Sequence, residues 1–205
     1  MLARARLSLL TNEIDDATRW LDKTLAAAPN LVDAHAVRGL FLLENDPSEK
    51  SLTTWQRGLP TGADEHPDVW VVRGMLARTI KDQSGATRCF VEALRRFPNH
   101  RQATHQLSLT LAALGEEAQA TALSHRVRHL DKLSRSIDDI YSRPDWDEPW
   151  LVSAQQLEAL GRMPEAAAWY QAIARMGFGG ISAQQKAVTL SSKLSADTPI
   201  INPSL

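Results

Sequence analysis

The sequence predicts an all-α fold in which pairs of antiparallel helices repeat along the chain. The first observation is a recurrence of small residues at steps of 34, 35, 34 and 46 residues. The second is that apolar side chains recur at the spacing of three and four residues that marks one face of a helix. The third is the near absence of strand signals, since the chain has no Asn-Gly turn and no sustained polar–apolar alternation.

Two series of small residues define the repeat. One series runs through Ala17, Ser51, Ala86, Ala120 and Ala166, and the other through Gly39, Gly74, Ser108 and Ala154. Both series end with the same long step of 46 residues, so they move together as positions of one repeated unit. A period near 34 residues is typical of stacked helix pairs.

The small residues have a physical purpose in such a fold. Two helices pack about 8–10 Å apart, and the closest approach admits only small side chains. Leu21, Trp55, Phe90 and Tyr170 each follow a small residue by four positions and are predicted to fill the space beside that approach. One helix pair cannot bury both of its faces, so we expect neighbouring pairs to stack on it. A bundle of unrelated helix pairs is the alternative.

Helix ends are marked by capping and stop signals. Asp46 is the predicted N-cap of one second helix, with Pro47 in its first position. Asp82 or Ser84 is predicted to cap the next second helix, and Pro98 predicts where that helix ends.

These motifs resemble the tetratricopeptide repeat (TPR) family. The third repeat carries Trp70, Gly74, Ala86, Phe90 and Pro98 at signature positions, and the fifth carries Trp150, Ala154, Gly161, Ala166 and Tyr170. The resemblance covers residues 1–175 as four and a half to five repeats. It implies a right-handed α-solenoid whose concave groove is lined by the first helix of each pair. The chain is also similar to repeat segments of large bacterial multidomain proteins.

The array is predicted to span residues 1–175, with one long helix inside it. The step of 46 predicts that a second helix continues over 117–141, because Val127 and Leu133 extend its apolar stripe. A loop of equal length is the alternative. Residues 176–194 are predicted to contain a C-terminal capping helix, and 195–205 a tail or linker.

Composition excludes several classes of function. The formal net charge is -1, from 23 basic and 24 acidic side chains, so the basic excess of a nucleic-acid-binding protein is missing. The single cysteine, Cys89, excludes an intrachain disulfide and a multi-cysteine zinc site. No apolar run approaches the roughly 20 residues needed to span a bilayer, and no signal peptide is recognisable. We therefore expect no membrane insertion, no cofactor and a cytoplasmic location by default.

Several features that suggest chemistry have simpler interpretations. His125 and His129 lie four apart on one predicted helix but lack the glutamate of the zinc-protease motif, so they are interpreted as solvated. The glycine-rich segment 177–180 lacks the flanking strand and Lys-Ser/Thr of a phosphate-binding loop. Asp147 is interpreted as a helix cap and Cys89 as a packing residue. No catalytic or metal site is predicted, and the protein is expected not to be an enzyme.

Arg38 and Arg73 each directly precede a repeat glycine and should lie on one ridge. Their stems are predicted to cover apolar surface while their guanidinium groups reach solvent or a carboxylate. A paired anion contact is the alternative.

The predicted partner-binding site is the concave groove that the resemblance implies. It comprises Ala36, Val37, Leu40, Val71, Val72, Met75, His105, Gln106, Leu109, Leu151 and Gln155. This mostly apolar set suits an amphipathic helix or an extended peptide, and it lacks the Lys/Asn/Arg clamp with which some TPR proteins hold a C-terminal carboxylate. The sequence thus predicts a non-enzymatic scaffold for a protein or peptide partner. The alternative is an accessory or regulatory segment of a larger multidomain enzyme or secreted protein, packed against a neighbouring domain of its own chain.

Overall fold

A computed structural model describes residues 1–193, except for the side chain of Lys193. The helices are α1 (Leu2–Leu10), α2 (Ile14–Ala27), α3 (Val32–Asn45), α4 (Glu49–Arg57), α5 (Pro67–Thr79), α6 (Gln83–Arg96), α7 (Arg101–Ala113), α8 (Glu117–Ser142), α9 (Asp147–Ala159), α10 (Met163–Arg175) and α11 (Gly180–Lys193). A short 3-10 helix, Ala63–Glu65, precedes α5, and no β-strand occurs between residues 1 and 193. The all-α fold of consecutive helix pairs is confirmed.

Two compact units make up the chain, Met1–Ala120 and the part from Thr121 onward. The division falls within the first turns of α8, inside the array predicted over residues 1–175. Within the described residues, no helix combines the length and the apolar character needed to cross a bilayer.

In the first unit, an aromatic ring of the second helix occupies the space that a glycine of the first helix leaves open. A Cβ added at Gly39 would lie 2.6 Å from Cζ2 of Trp55, and one added at Gly74 would lie 2.8 Å from Cδ1 and Cζ of Phe90. These distances are well below van der Waals contact, so only glycine fits. The contact recurs in α3–α4 and in α5–α6, 35 residues apart, which is the sequence period expressed as packing.

Each first helix contributes to two successive cores. On α3, Val37 packs with α1 and α2 residues such as Leu21, while its neighbour Ala36 packs with Trp55 on the other side. On α5, Val72 belongs to the core of Trp55, while Val71 packs with Ala93 and Ala103. Because adjacent residues of one helix are buried in different cores, consecutive helix pairs stack directly on each other.

The capping residues agree with the sequence at one helix and differ at another. Asp82 caps α6 as predicted, its Oδ1 accepting the backbone N–H of Gly85 at 2.7 Å. The N-cap of α4 is Ser48 and not Asp46, so the helix begins two residues later than predicted. The Asp46 carboxylate instead accepts the hydroxyl of Ser51, and this hydrogen bond lowers the pKa of Asp46.

Histidine and aspartate connect the starts of successive first helices, in what we call the Asp–His ladder. His66 caps α5 through Nδ1, which accepts the N–H of Asp68 at 3.2 Å, and its Nε2 lies 3.3 Å from Oδ1 of Asp33 on α3. His100 caps α7 in the same way, and its Nε2 lies 2.7 Å from Oδ1 of Asp68. Since Nδ1 of His100 accepts a hydrogen bond, the network assigns the proton to Nε2, which donates to Asp68.

The second unit packs α8, α9, α10 and α11 around one core that includes Leu130, Leu157, Tyr170 and Ile173. The extra residues that lengthen the last repeat step to 46 are helical, because α8 runs without interruption for 26 residues. Glu158 connects three helices, accepting hydrogen bonds from Tyr170 Oη at 3.3 Å and from Lys186 Nζ at 2.8 Å.

The C-terminal helix α11 buries Ala183, Ala187 and Leu190 on one face. Ser182 lies inside the helix, and its hydroxyl donates to the Gly179 carbonyl. Asp147 is likewise the first residue of α9 and not its N-cap, which is Trp146. The predicted tail at 195–205 lies outside the described residues.

The glycine–ring contact predicts a strongly non-additive pair of substitutions. We expect Phe90→Ala to lower the free energy of unfolding by about 3–5 kcal/mol, because Phe90 is fully buried. Gly74→Ala should cost about 1–3 kcal/mol through overpacking, yet become neutral or stabilising beside Phe90→Ala, where the added methyl meets no ring. Chemical denaturation of the single and double variants measures the coupling. Gly58→Ala is the control, since an added Cβ there has only ordinary contacts; additive costs would contradict the packing.

The ladder predicts a charge contribution to stability that is lost in acid. Burial opposes ionisation of Asp68, but its hydrogen bond to His100 and the electrostatic influence of His100, His66 and Arg6 together lower its pKa. A lowered folded-state pKa adds stability above the unfolded pKa of about 3.9, and this stability disappears as the pH falls through the folded value. Wild type should therefore exceed Asp68→Asn in unfolding free energy at pH 7, and the difference should shrink below pH 4. Urea denaturation at several pH values tests this; a difference independent of pH would contradict it.

Candidate functional site

Four residues of the predicted concave groove are core residues. Ala36, Val71 and Val72 are fully buried, and Val37 is 7% exposed. The structure corrects their assignment, because they pack in the cores on either side of α3 and α5 and present no surface to a partner.

The other predicted groove residues of the first unit keep some surface. Leu40 and Met75 are partly exposed, while His105 and Leu109 on α7 are exposed, Leu109 at 44%. Gln106 is half-buried, and its Oε1 accepts a hydrogen bond from Arg78. In the second unit, Leu151 packs against the core and Gln155 is exposed. A partner-binding role for these seven residues stays a prediction.

A well-formed groove lies elsewhere on the first unit, between α4, α5 and α6. It encloses about 820 Å³ and is lined mainly by apolar atoms, and we call it the α4–α6 groove. Leu76, Ala77, Ile80 and Val91 form its apolar floor, and Ile80 is 53% exposed. Ile80 and Met75 are five positions apart, about 140° around the helix axis, so the groove uses a different face of α5 from the predicted site.

Arg73 is the most deeply placed cation of the groove. Its NH1 lies 2.7 Å from Oδ1 of Asp64, and its guanidinium carbon lies 4.7 Å from the ring centroid of Trp70. Trp70 is held in turn by Nε1, which donates to the Asp64 carbonyl at 2.7 Å. Nε of Arg73 is buried and has no hydrogen-bond partner. The Arg73 stem thus covers apolar surface and its head reaches a carboxylate, as the sequence predicted, but one of its donors is left unused.

The two carboxylates that line the groove are committed to their own helix. Asp82 caps α6. Glu92 accepts from Arg95 at 2.6 Å and from Arg96 at 2.7 Å, and these hydrogen bonds lower its pKa. Arg88 also lines the groove, and within residues 1–193 it makes no ion pair and no side-chain hydrogen bond. Of the cations that line the groove, Arg88 is therefore the one without a carboxylate partner in the described chain.

Cys89 is half-buried at the wall of the groove. Desolvation raises the pKa of its thiol, although the charges of Arg73 and Arg88 act in the opposite direction. A raised pKa suits a packing thiol and not a nucleophile.

A second groove occupies the equivalent place one repeat earlier, between α2, α3 and α4. It encloses about 470 Å³ and is lined by Arg38, the counterpart of Arg73. There, Asp22 on α2 forms an ion pair with Arg38. The residue that corresponds to Asp22 in the next repeat is Gln56, which lines the α4–α6 groove and carries no charge.

The remaining sequence candidates have structural explanations. Nδ1 of His129 lies 2.8 Å from Oε1 of Gln156, while His125 is exposed. In the part of the chain that the structure describes, no three metal-ligating side chains come together. The segment 177–180 is the connection between α10 and α11, and its three glycines have positive φ angles.

Sequence reasoning identified Arg38 and Arg73 as a pair but missed the α4–α6 groove. The signal in the sequence is the exchange of Asp22 for Gln56 at equivalent repeat positions, because it shows that the surroundings of the two arginines differ.

Solved structures with overall similarity have low sequence identity. The crystal structure of MamA is 17% identical, with a TM-score of 0.45, covering 92% of this chain and 95% of that chain. A second crystal structure of MamA protein is 16% identical, with a TM-score of 0.45, covering 97% of this chain and 96% of that one. The structure of Naa15/Naa10 bound to HypK-THB is 16% identical, with a TM-score of 0.47, covering 95% of this chain and 25% of that chain.

No protein-family model matches the sequence, and no curated protein matches it. Similarities at this level identify neither a family nor a function. The description of the fold therefore rests on the helices and contacts given above.

The environment of Cys89 predicts slow alkylation. Because its pKa is raised, the thiolate fraction at pH 8 is smaller than that of free cysteine, and iodoacetamide should react more slowly. Arg88→Gln removes a cation that favours the thiolate, so the rate should fall further. Mass spectrometry over time at pH 7–9 gives the rates, with Arg128→Gln as a distant control. Alkylation faster than that of free cysteine would contradict this environment.

Proposed function

We propose that the chain is a non-enzymatic protein-interaction scaffold of the TPR family, with four and a half to five repeats. The recurring contacts between Gly39 and Trp55 and between Gly74 and Phe90 support the family assignment, because they place the signature positions in one repeated geometry. The stacking of consecutive pairs through shared first helices supports it as well.

The observation that carries the function is the α4–α6 groove. Its volume of about 820 Å³ lies in the range of ligand-binding clefts, and its floor is apolar. Ile80 exposes more than half of its surface there, although it is a large aliphatic residue. A partner side chain that covers this floor would gain about 25 cal/mol per Å² of apolar area removed from water. The groove therefore offers the buried anchor contacts that supply most of the affinity of an interface.

The partner that suits such a groove is a short peptide segment, in helical or extended form. Most of its lining residues lie on α5 and α6, and α4 contributes Gln56, so the surface is built mainly on helices. A competing candidate in the same unit consists of the predicted groove residues that keep some surface there, namely Leu40, Met75, His105, Gln106 and Leu109, and α5 carries residues of both.

The alternative of an accessory segment in a larger bacterial multidomain protein gives the groove a different occupant. A domain of the same polypeptide would then cover Ile80, and peptides would compete with it. Binding of free peptides to the 205-residue chain favours the scaffold role.

Two substitutions, one on α5 and one at its C-cap, distinguish the two surfaces. Peptides selected from a random 12-residue display library on the full chain should lose at least about tenfold in affinity for Ile80→Glu, because a carboxylate cannot be buried on the apolar floor without a cost of this order. Met75→Glu is the matched control and should bind as wild type does. Fluorescence polarisation measures affinity, and circular dichroism melting confirms that both variants fold. Loss of binding only in Met75→Glu would assign the site to the predicted concave groove, and no loss in either would contradict both surfaces.

A further inference from the structure

We infer that the α4–α6 groove selects protein segments in which an Asp or Glu side chain lies beside apolar residues. This inference rests on the proposed function and specifies the chemistry of the partner. Arg73 and Arg88 are the residues that would bind the carboxylate, while the floor around Ile80 binds the apolar neighbours.

The first support is the unequal pairing of charges in the groove. Arg88 has no ion pair within the described chain, and Arg73 keeps a buried Nε–H without an acceptor. Asp82 and Glu92, which line the same groove, are occupied by the α6 N-terminus and by Arg95 and Arg96. An arriving carboxylate would meet the unpaired guanidinium of Arg88 beside that of Arg73, which Asp64 holds through NH1, and it would meet no unpaired anion.

The second support is the preceding repeat, which acts as an internal comparison. In the α2–α4 groove, the carboxylate of Asp22 already pairs with Arg38. In the α4–α6 groove the equivalent residue is Gln56, and the residue at the position of Thr53 is Arg88. In the later groove Asp64 supplies the carboxylate that pairs with Arg73, so Arg88, at the position of Thr53, is the cation left for a carboxylate of the partner.

The geometry of arginine explains why the ligand is a carboxylate. A guanidinium presents a planar fork of donors that matches two carboxylate oxygens, and such hydrogen bonds are about twice as strong as neutral ones. Apolar surroundings exclude water and strengthen the contact further. Single-stranded nucleic acid would also bring anions, but it relies on free aromatic faces for base stacking. Trp70 offers none in this groove, since Arg73 and Arg96 lie 4.7 and 5.0 Å from its ring centroid.

The experiment is a mutant cycle between protein and peptide. A random 12-residue library is displayed with every peptide fused through its C-terminus, so that all carboxylates come from Asp and Glu side chains. Peptides that bind the full chain but lose affinity for Ile80→Glu are resynthesised with C-terminal amides. Each peptide is made in two versions, one with its original Asp and Glu residues and one with these residues replaced by Asn and Gln. Affinities are measured for wild type, Arg88→Gln and Arg128→Gln.

We expect the selected peptides to be enriched in Asp or Glu beside apolar residues. Amide replacement should weaken binding to wild type and to Arg128→Gln by about tenfold or more, but should have little effect on binding to Arg88→Gln. Arg88 is exposed, so its substitution should leave the melting temperature unchanged, whereas Arg73→Gln also removes packing on Trp70.

Three results would overturn the inference, and they are distinguishable. Selected peptides without acidic enrichment, or an amide effect that is equal in wild type and Arg88→Gln, would reject the acidic specificity while leaving the groove as a binding site. Peptides that bind Ile80→Glu as tightly as wild type would reject the groove itself, and the proposed function with it.

Discussion

The stacking of this chain depends on a contact between a glycine and an aromatic ring. In α3–α4 and again in α5–α6, the second helix places a ring where a Cβ on the first helix would be. This sets the separation of the two helices, which in turn decides which neighbouring side chains can reach the next pair. At that separation Ala36 and Val37 are buried in different cores, and so are Val71 and Val72. The contact between the glycine and the ring in one helix pair thus influences how the neighbouring pairs pack against it.

The fold was predictable because this constraint is local and recurs. A position that admits only a small residue is visible in the sequence, and here such positions recur every 34 to 35 residues. Helix ends were less predictable. Near α4, Asp46 and Ser48 both offer a capping oxygen within two residues: Ser48 accepts the backbone N–H of Ser51, while Asp46 accepts its hydroxyl. Composition cannot decide between two acceptors that compete for one turn.

The candidate site was only partly predictable, for a different physical reason. Adjacent apolar residues on a first helix look alike in sequence, whether they face a groove or a second core. Val71 and Val72 were placed in the groove because the helical period cannot show that both sides of α5 are covered. The α4–α6 groove also depends on the segment between α4 and α5. The 3-10 turn there supplies Asp64, which holds Arg73 and Trp70 while Gln56 faces the groove uncharged.

The Asp–His ladder has a consequence for how the repeats depend on each other. His100 uses one ring nitrogen for its own helix and the other for Asp68, so a single imidazole serves two consecutive repeats. His66 serves α5 and Asp33 in the same manner. If one repeat detached, its neighbour would lose a charged partner at the start of its first helix. Polar side chains at the helix ends thereby contribute to cooperativity along the array, independently of the apolar cores.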